Sequence, residues 1–334
     1  MRKIFVFGFL FTCSVSLAQE TPVSPIAKSK YFNFYTNRFV DAHHSFYFWM
    51  EKAEKQKLKD LAPLVDSLEL EFKTRFSPDD RKSLTAVLGF YRKNFAGKDL
   101  LFNDTLYNVK TTLKKFQTTD DLKKSDMPLF FKKTFGSAMQ VFEKHMWPSH
   151  SKKNLEKISE LMDQLAAMEA TIGPGLEKVY QATWSPAVLE VMVTYYANWA
   201  GAYTAFSGKS IEITYSSSDP ALAGTQGVEI LFHEASHWLV LKNVKPLIDE
   251  KALAQKKRIA GQRQLWHAVL FYITGKVVQD AYASRGIEHE LYMVKNNIFN
   301  QGFGRYPTAF DPYLDGTTDL GAAIEELVRI SKAE

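Results

Sequence analysis

Cysteine is almost missing from this chain. One of 334 residues is Cys, at position 13, inside a stretch that reads as a removable leader. The mature chain then carries no thiol, so it forms no disulfide and offers no thiolate to a metal. Any metal site must be built from His, Asp or Glu. Long apolar runs are absent beyond the N-terminus, and none approaches the roughly 20 residues a membrane-spanning helix needs. Charge of one sign is not concentrated either. Lys and Arg number 42 against 37 Asp and Glu, for a formal net charge of +5, with no dense basic run, which argues against nucleic acid as the main partner. There is no internal repeat and no low-complexity tract. What the chain has in quantity is aromatic surface to bury: 25 Phe and 15 Tyr, within 46% hydrophobic residues. That is the composition of a folded protein with a large core.

The first residues read as an export signal. Arg2 and Lys3 precede an apolar stretch from Ile4 to about Phe11, and Ser16-Leu17-Ala18 supplies small residues at a cleavage position. Residues 1–18 are therefore expected to be a signal peptide, and the mature chain to begin at Gln19, in the periplasm or outside the cell. The competing reading is a lipoprotein modified at Cys13, which Thr12 fits poorly. Removing Arg2 and Lys3 lowers the formal charge by two.

The expected fold class is α+β and mainly α-helical, in two regions. Residues 19–30, with Pro22 and Pro25, read as a loose leader. From Tyr31 to Tyr180 the apolar residues recur at three-to-four spacing, as in "LKDLAPLVDSLELEFKTRF" and "KKNLEKISELMDQLAAMEATIG", which makes 19–180 a helical region. Ser77 before Pro78-Asp79-Asp80 predicts a helix start. Gly173-Pro174-Gly175 predicts a break. After Ser185-Pro186 the texture changes. Residues 187–197, 199–206 and 210–217 read as strands of a small antiparallel sheet, with Ser207-Gly208-Lys209 as a hairpin turn. A polar loop leads into an apolar helix, and a second long helix is expected over about 257–283. "YPTAFDPYLDG" reads as turn-rich, and a short amphipathic helix ends the chain near 320–332.

The stretch "GVEILFHEASHWLVL" (227–241) carries the chemistry. On a helix, residues four apart lie on one face, so His233 and His237 can present two imidazoles to one ion. Glu234 is displaced by about 100° and falls beside that ion, where a carboxylate can take a proton from water. The competing reading is a pair of hydrogen-bonded core histidines. The apolar flanks weigh against it, because burying two His and a Glu without partners is costly.

With these residues in view, 187–241 resembles the core of the zincin metallopeptidases, a small sheet whose last strand precedes a helix bearing H-E-x-x-H. The combination of "GAYT", "HEASH" and "LWHAVLFY" also resembles a group of exported bacterial proteins of undefined function. The resemblance implies a zincin-like catalytic region over 181–334 and one Zn2+ per chain on His233 and His237. It further implies Glu234 as general base and a peptide or protein substrate that adds as a strand along 210–217. The extended H-E-x-x-H-x-x-G-x-x-H pattern is absent, so the gluzincins are the nearer branch.

In gluzincins the third ligand is a Glu on the next long helix. Here "QRQLWHAVLFYITGKVVQDAY" has no Glu; its ligand-competent residues are His267 and Asp280. His267 is taken as the third ligand, with Glu288 and Glu290 as alternatives. This departure bears on peptidase activity more than on metal binding. A donor for a developing oxyanion is expected among Tyr215, Tyr272, His289, Arg305 and Tyr306, with Tyr272 and Tyr306 placed first. His43, His44, His145 and His150 are read as structural. The expected function is an exported zinc-dependent hydrolase, a peptidase foremost. The alternatives are a metal-stabilised zincin-fold binding or structural protein without turnover, and a zinc hydrolase of a non-peptide bond.

Overall fold

The computed structural model describes residues 24–185, 187–207, 210–259 and 261–332. The expected export signal (residues 1–18), Cys13 and two residues of the expected hairpin turn, Gly208 and Lys209, lie outside the described residues. The chain opens with two short strands, β1 (Ala27–Lys28) and β2 (Phe32–Tyr35). Seven helices follow: α1 (Arg38–Lys55), α2 (Ala62–Glu71), α3 (Pro78–Phe95), α4 (Asp104–Leu113), α5 (Thr119–Lys124), α6 (Leu129–His145) and α7 (Trp147–Tyr180). Then come β3 (Val188–Thr194), β4 (Ala202–Ser207) and β5 (Ser210–Ser216), and after a 3-10 turn the helices α8 (Thr225–Val240), α9 (Val244–Ala254), α10 (Gln262–Ala283), α11 (Tyr292–Lys295), α12 (Arg305–Leu314) and α13 (Leu320–Ile330). The fold is α+β and mainly helical, as the periodicity predicts. No helix among the described residues is long and apolar enough to cross a membrane.

Local signals explain several of these elements. Ser77 and Asp80 form a reciprocal capping box at the start of α3, with Pro78 in the first turn where a missing N–H costs nothing. Asn37 caps α1 by accepting from the backbone N–H of Phe39 and Val40, a contact worth about 1 kcal/mol. Two breaker readings fail. Helix α7 runs straight through Gly173-Pro174-Gly175. The glycines serve close packing instead: a side chain at Gly173 would collide with the Tyr31 ring, and one at Gly175 would press on Val277 of α10. The "turn-rich" 306–316 stretch forms most of α12, because Pro307 falls in the first turn, where the backbone N–H has no helical partner anyway.

The sheet is mixed, not antiparallel. Its order is β1-β2-β3-β5-β4. Strands β2 and β3 are parallel, as are β3 and β5, while β1 pairs with β2 and β4 with β5 antiparallel. The chain leaves β3, passes to the outer edge as β4, and returns as β5 between the two. Alternation of apolar and polar residues reports which face a side chain takes but not which strand lies beside it. Two expectations change as a result. The supposed leader and the start of the supposed helical region supply two strands. Strand β5 (210–217 in the sequence reading) is hydrogen-bonded on both sides, so no peptide can add to it; β4 is the outer strand.

Each face of the sheet meets different helices. Ile211, Ile213 and Tyr215 join a core with α7, α8 and α10. Tyr215 donates its hydroxyl to the carbonyl of Gly227 on α8 at 3.0 Å, and Gly227 has no side chain to keep that ring away. The alternate residues Glu212 and Thr214 face α4, where Lys110 and Lys114 approach them. Helices α1 to α6 build a second core that reaches the sheet at Met192. They therefore pack on the face of the sheet opposite α8. Helix α7 touches both cores.

Candidate metal centre

Helices α8 and α10 pack side by side, and the approach is close because α10 has Gly275 where it meets α8. A side chain there would strike Glu229 Oε1 and Leu291. This contact brings His267 of α10 over the first turns after Glu229 on α8. The rings of His233, His237 and His267 form a nearly equilateral triangle, with centroid separations of 5.2, 5.1 and 5.2 Å. One nitrogen from each lies within 4.8 Å of the others. The three histidines are close enough to hold a metal ion. The Nε2 atoms of His233 and His267 are 3.1 Å apart. Two imidazoles on one tetrahedral ion, each at about 2.0–2.1 Å, stand roughly 3.3 Å apart, so the pair needs almost no movement to accept one.

The protonation states suit ligation. Burial presses the His237 imidazole down to about 3, with His267 adding to it, and burial presses His267 down to about 4. His233 is pushed well below the usual range by burial and then by its two neighbours. All three rings are neutral at physiological pH and present lone pairs without first losing a proton.

Glu234 lies beside the triangle, its Oε2 3.7 Å from His237 Nε2. The Thr204 hydroxyl of β4 lies 2.6 Å from that same oxygen and 2.8 Å from the Glu234 carbonyl. Burial pushes the Glu234 carboxyl up to about 7, with the Thr204 contact pulling the other way. Aromatic rings wall the site. Phe271 lies 3.8 Å from the His233 ring, Trp266 within 5.6 Å of His237 and 5.3 Å of His267, and Phe299 5.8 Å from His267.

The other candidates fall elsewhere. Glu288, Glu290 and Asp280 are exposed and outside the cluster. His289 is buried in a hydrogen bond with Glu229, at 2.6 Å, with Thr225 on its other nitrogen. Tyr272 donates its hydroxyl to Asp311 and stacks on Tyr306, centroids 6.2 Å apart. The Tyr306 hydroxyl accepts from Arg305. Among the described residues neither tyrosine makes a hydrogen bond or ring contact with the three histidines. Residue 272 lies five positions after 267, about 140° around α10, which turns it toward α12. Tyr215 is fully buried against α8.

Sequence reasoning missed Thr204, whose alternate position on β4 was the available signal, and also Glu229 and Tyr292. Glu229 precedes His233 by four residues and accepts from the backbone N–H of Tyr292 at 2.8 Å. That bond holds the Tyr292 ring stacked on Phe271. Burial pushes the Tyr292 phenol up to about 12, with Asp219, Glu229 and Glu234 adding their charge. No protein-family model, curated protein or solved structure matches this chain.

Proposed function

We propose that this protein is an exported zinc-dependent hydrolase of zincin-like architecture, acting on peptides, with His233, His237 and His267 as the zinc ligands and Glu234 as general base. The observation that carries the reading is the triangle of three converging imidazoles with a carboxylate against its edge. Nitrogen-rich, thiol-free ligands suit zinc. Zinc bound there supplies Lewis acidity toward a water and a carbonyl oxygen.

The chain's own residues do the rest. Glu234 accepts the proton of the attacking water and returns it to the leaving group. Burial raises the Glu234 carboxyl, which favours its holding the proton, and a divalent cation on the histidines would draw it down again and leave a carboxylate able to accept one. Thr204 keeps the carboxylate aimed along β4. The Tyr292 phenol, on a ring stacked against the Phe271 that packs on His233, is the candidate donor to a developing oxyanion in place of Tyr272 and Tyr306. Phe271, Trp266 and Phe299 exclude water. The outer edge of β4 runs past Glu234, so an extended peptide pairing with β4 would pass the triangle.

The test is Glu234→Gln. Purified full-length protein should contain about one zinc per chain, and the variant should keep it while turnover on a panel of quenched fluorescent peptides falls by about 10²–10⁴. Zinc below about a tenth of an equivalent after zinc addition would end the reading. Full zinc without turnover on peptides, esters or amides would leave a metal-stabilised binding protein. Turnover confined to esters or non-peptide amides would move the substrate class.

A further inference from the structure

Beside the histidine triangle lies a concavity of about 590 Å³, between the first turns of α10 and the loop that precedes α12. Gln264, Leu265, Phe299, Asn300, Arg305 and Lys332 contribute to its wall. Three features set it apart. It is cationic: among the described residues Arg305 and Lys332 line it and no Asp or Glu does. Arg305 donates from Nη2 to the Tyr306 hydroxyl at 2.7 Å. Its Nε is buried without an acceptor, and it pairs with no carboxylate among the described residues. The pocket also shares a wall with the metal centre. Phe299 lines it on one side and packs on His267 and Phe271 on the other, and Gln264 precedes His267 by one helical turn. Finally, the loop is held in an uncommon backbone. Asn297 and Phe299 have φ of 57° and 53°, and Gly302 has 71°. A bulky residue in the left-handed region is a conformation that surrounding structure must impose, and such residues gather at binding sites.

We propose that this pocket holds a carboxylate of the substrate on Arg305, so that the histidine centre acts on ligands bearing a negative charge one pocket away from the reacting bond. The second half of that statement rests on the hydrolase reading; the pocket itself does not. A guanidinium committed at one Nη to Tyr306 keeps its Nε and other Nη for the two coplanar oxygens of a carboxylate, a planar match that a tetrahedral phosphate does not share. The N-terminal end of α12, at Gly304 and Arg305, adds its partial positive charge to the same wall.

The experiment has two arms. In the first, metal-free full-length protein is titrated calorimetrically with succinate, succinamide and inorganic phosphate, which removes any direct contact between carboxylate and metal. Succinate should bind and succinamide should not. Arg305→Gln should weaken succinate by at least about tenfold, Arg305→Lys by less, and Lys332→Gln least, each variant being checked for native circular dichroism. Equal succinate binding in Arg305→Gln, no binding to the wild type, or tighter Arg305-dependent binding of phosphate would each overturn the assignment. If Arg305→Gln fails to fold, Arg305→Lys and Lys332→Gln decide, because unchanged binding in both contradicts the proposal. In the second arm, zinc-loaded protein is given peptides with a free C-terminus, a C-terminal amide, or an amide plus a glutamate side chain. The acid should exceed the plain amide in kcat/KM by at least about tenfold, and Arg305→Gln should erase the ratio. The glutamate peptide tells a chain end from a side chain. Equal rates on all three overturn the proposal. Absence of any turnover counts against the hydrolase reading alone, and the first arm still decides the pocket.

Discussion

Buried histidines occur on both sides of the sheet, and the contrast between them separates structural from ligating rings. On the helical side, His43 shares a hydrogen bond with Tyr91 at 2.6 Å. His44 lies between the Val40 carbonyl and the Tyr203 hydroxyl. His150 holds Asp41 at 2.7 Å and stacks on Tyr195 with rings 3.9 Å apart. Each of these rings has a partner of another kind. On the α8–α10 side, His233, His237 and His267 chiefly have one another. Burial presses imidazoles down in both places, to about 4 for His44 as for His267. A depressed pKa therefore does not mark the metal site; convergence without a counter-partner does.

The comparison is tested first where it predicts most. His267→Ala should lower zinc affinity as severely as His233→Ala, by more than about a hundredfold, since loss of even an outer-shell partner costs 10–100-fold. Glu288→Ala and His44→Ala should leave the affinity unchanged in zinc titrations of folded protein. Near-native zinc affinity in His267→Ala would dissolve the distinction between the two sets of rings.

A structural histidine should instead fail through stability. Asp41 accepts from His150, Asn154 and the Tyr195 backbone. Burial alone would raise its pKa, but those partners hold it lowered. Asp41→Asn should cost about 3–5 kcal/mol in denaturant unfolding, as for other broken buried pairs, with zinc per folded chain unaltered. A group whose folded pKa is depressed below the unfolded value stabilises above that value, so the wild-type contribution of Asp41 should fade as pH drops below about 4. Loss of zinc in Asp41→Asn at full folding would show the two sides to be coupled.

The smallest effect concerns Lys110, also on the helical side. Burial pushes it down to about 8, with Glu212 opposing and Lys114 reinforcing the shift. An amine whose folded pKa lies below its unfolded value of about 10.4 destabilises while charged, and the penalty fades as pH rises through that interval. Relative to Lys110→Met, wild-type stability should rise by about 1–2 kcal/mol between pH 8 and 9.5 in urea unfolding. A flat difference would mean that Glu212 and Thr214 solvate the ammonium fully.

The sequence by itself determined the helix-rich α+β class, the start of α3 at Ser77 and the face-sharing of His233 and His237. Each follows from spacing along one element, where geometry is set by 3.6 residues per turn. It also pointed to His267, because no other ligand-competent residue sat in an apolar stretch of the next long helix. Only tertiary structure decided that 267 meets 233 and 237 while 288 does not, since that depends on Gly275 letting α10 approach α8. Strand order was equally invisible: alternation assigns faces, and the path that places β4 outside β5 is settled by the helices each face must bury. Tyr272 and Tyr306 stood first among the donors expected from the sequence, and Tyr292 was not among them. The rotation of α10 turns Tyr272 onto Asp311, and a hydrogen bond from the Tyr292 backbone to Glu229 fixes that ring against Phe271, beside His233.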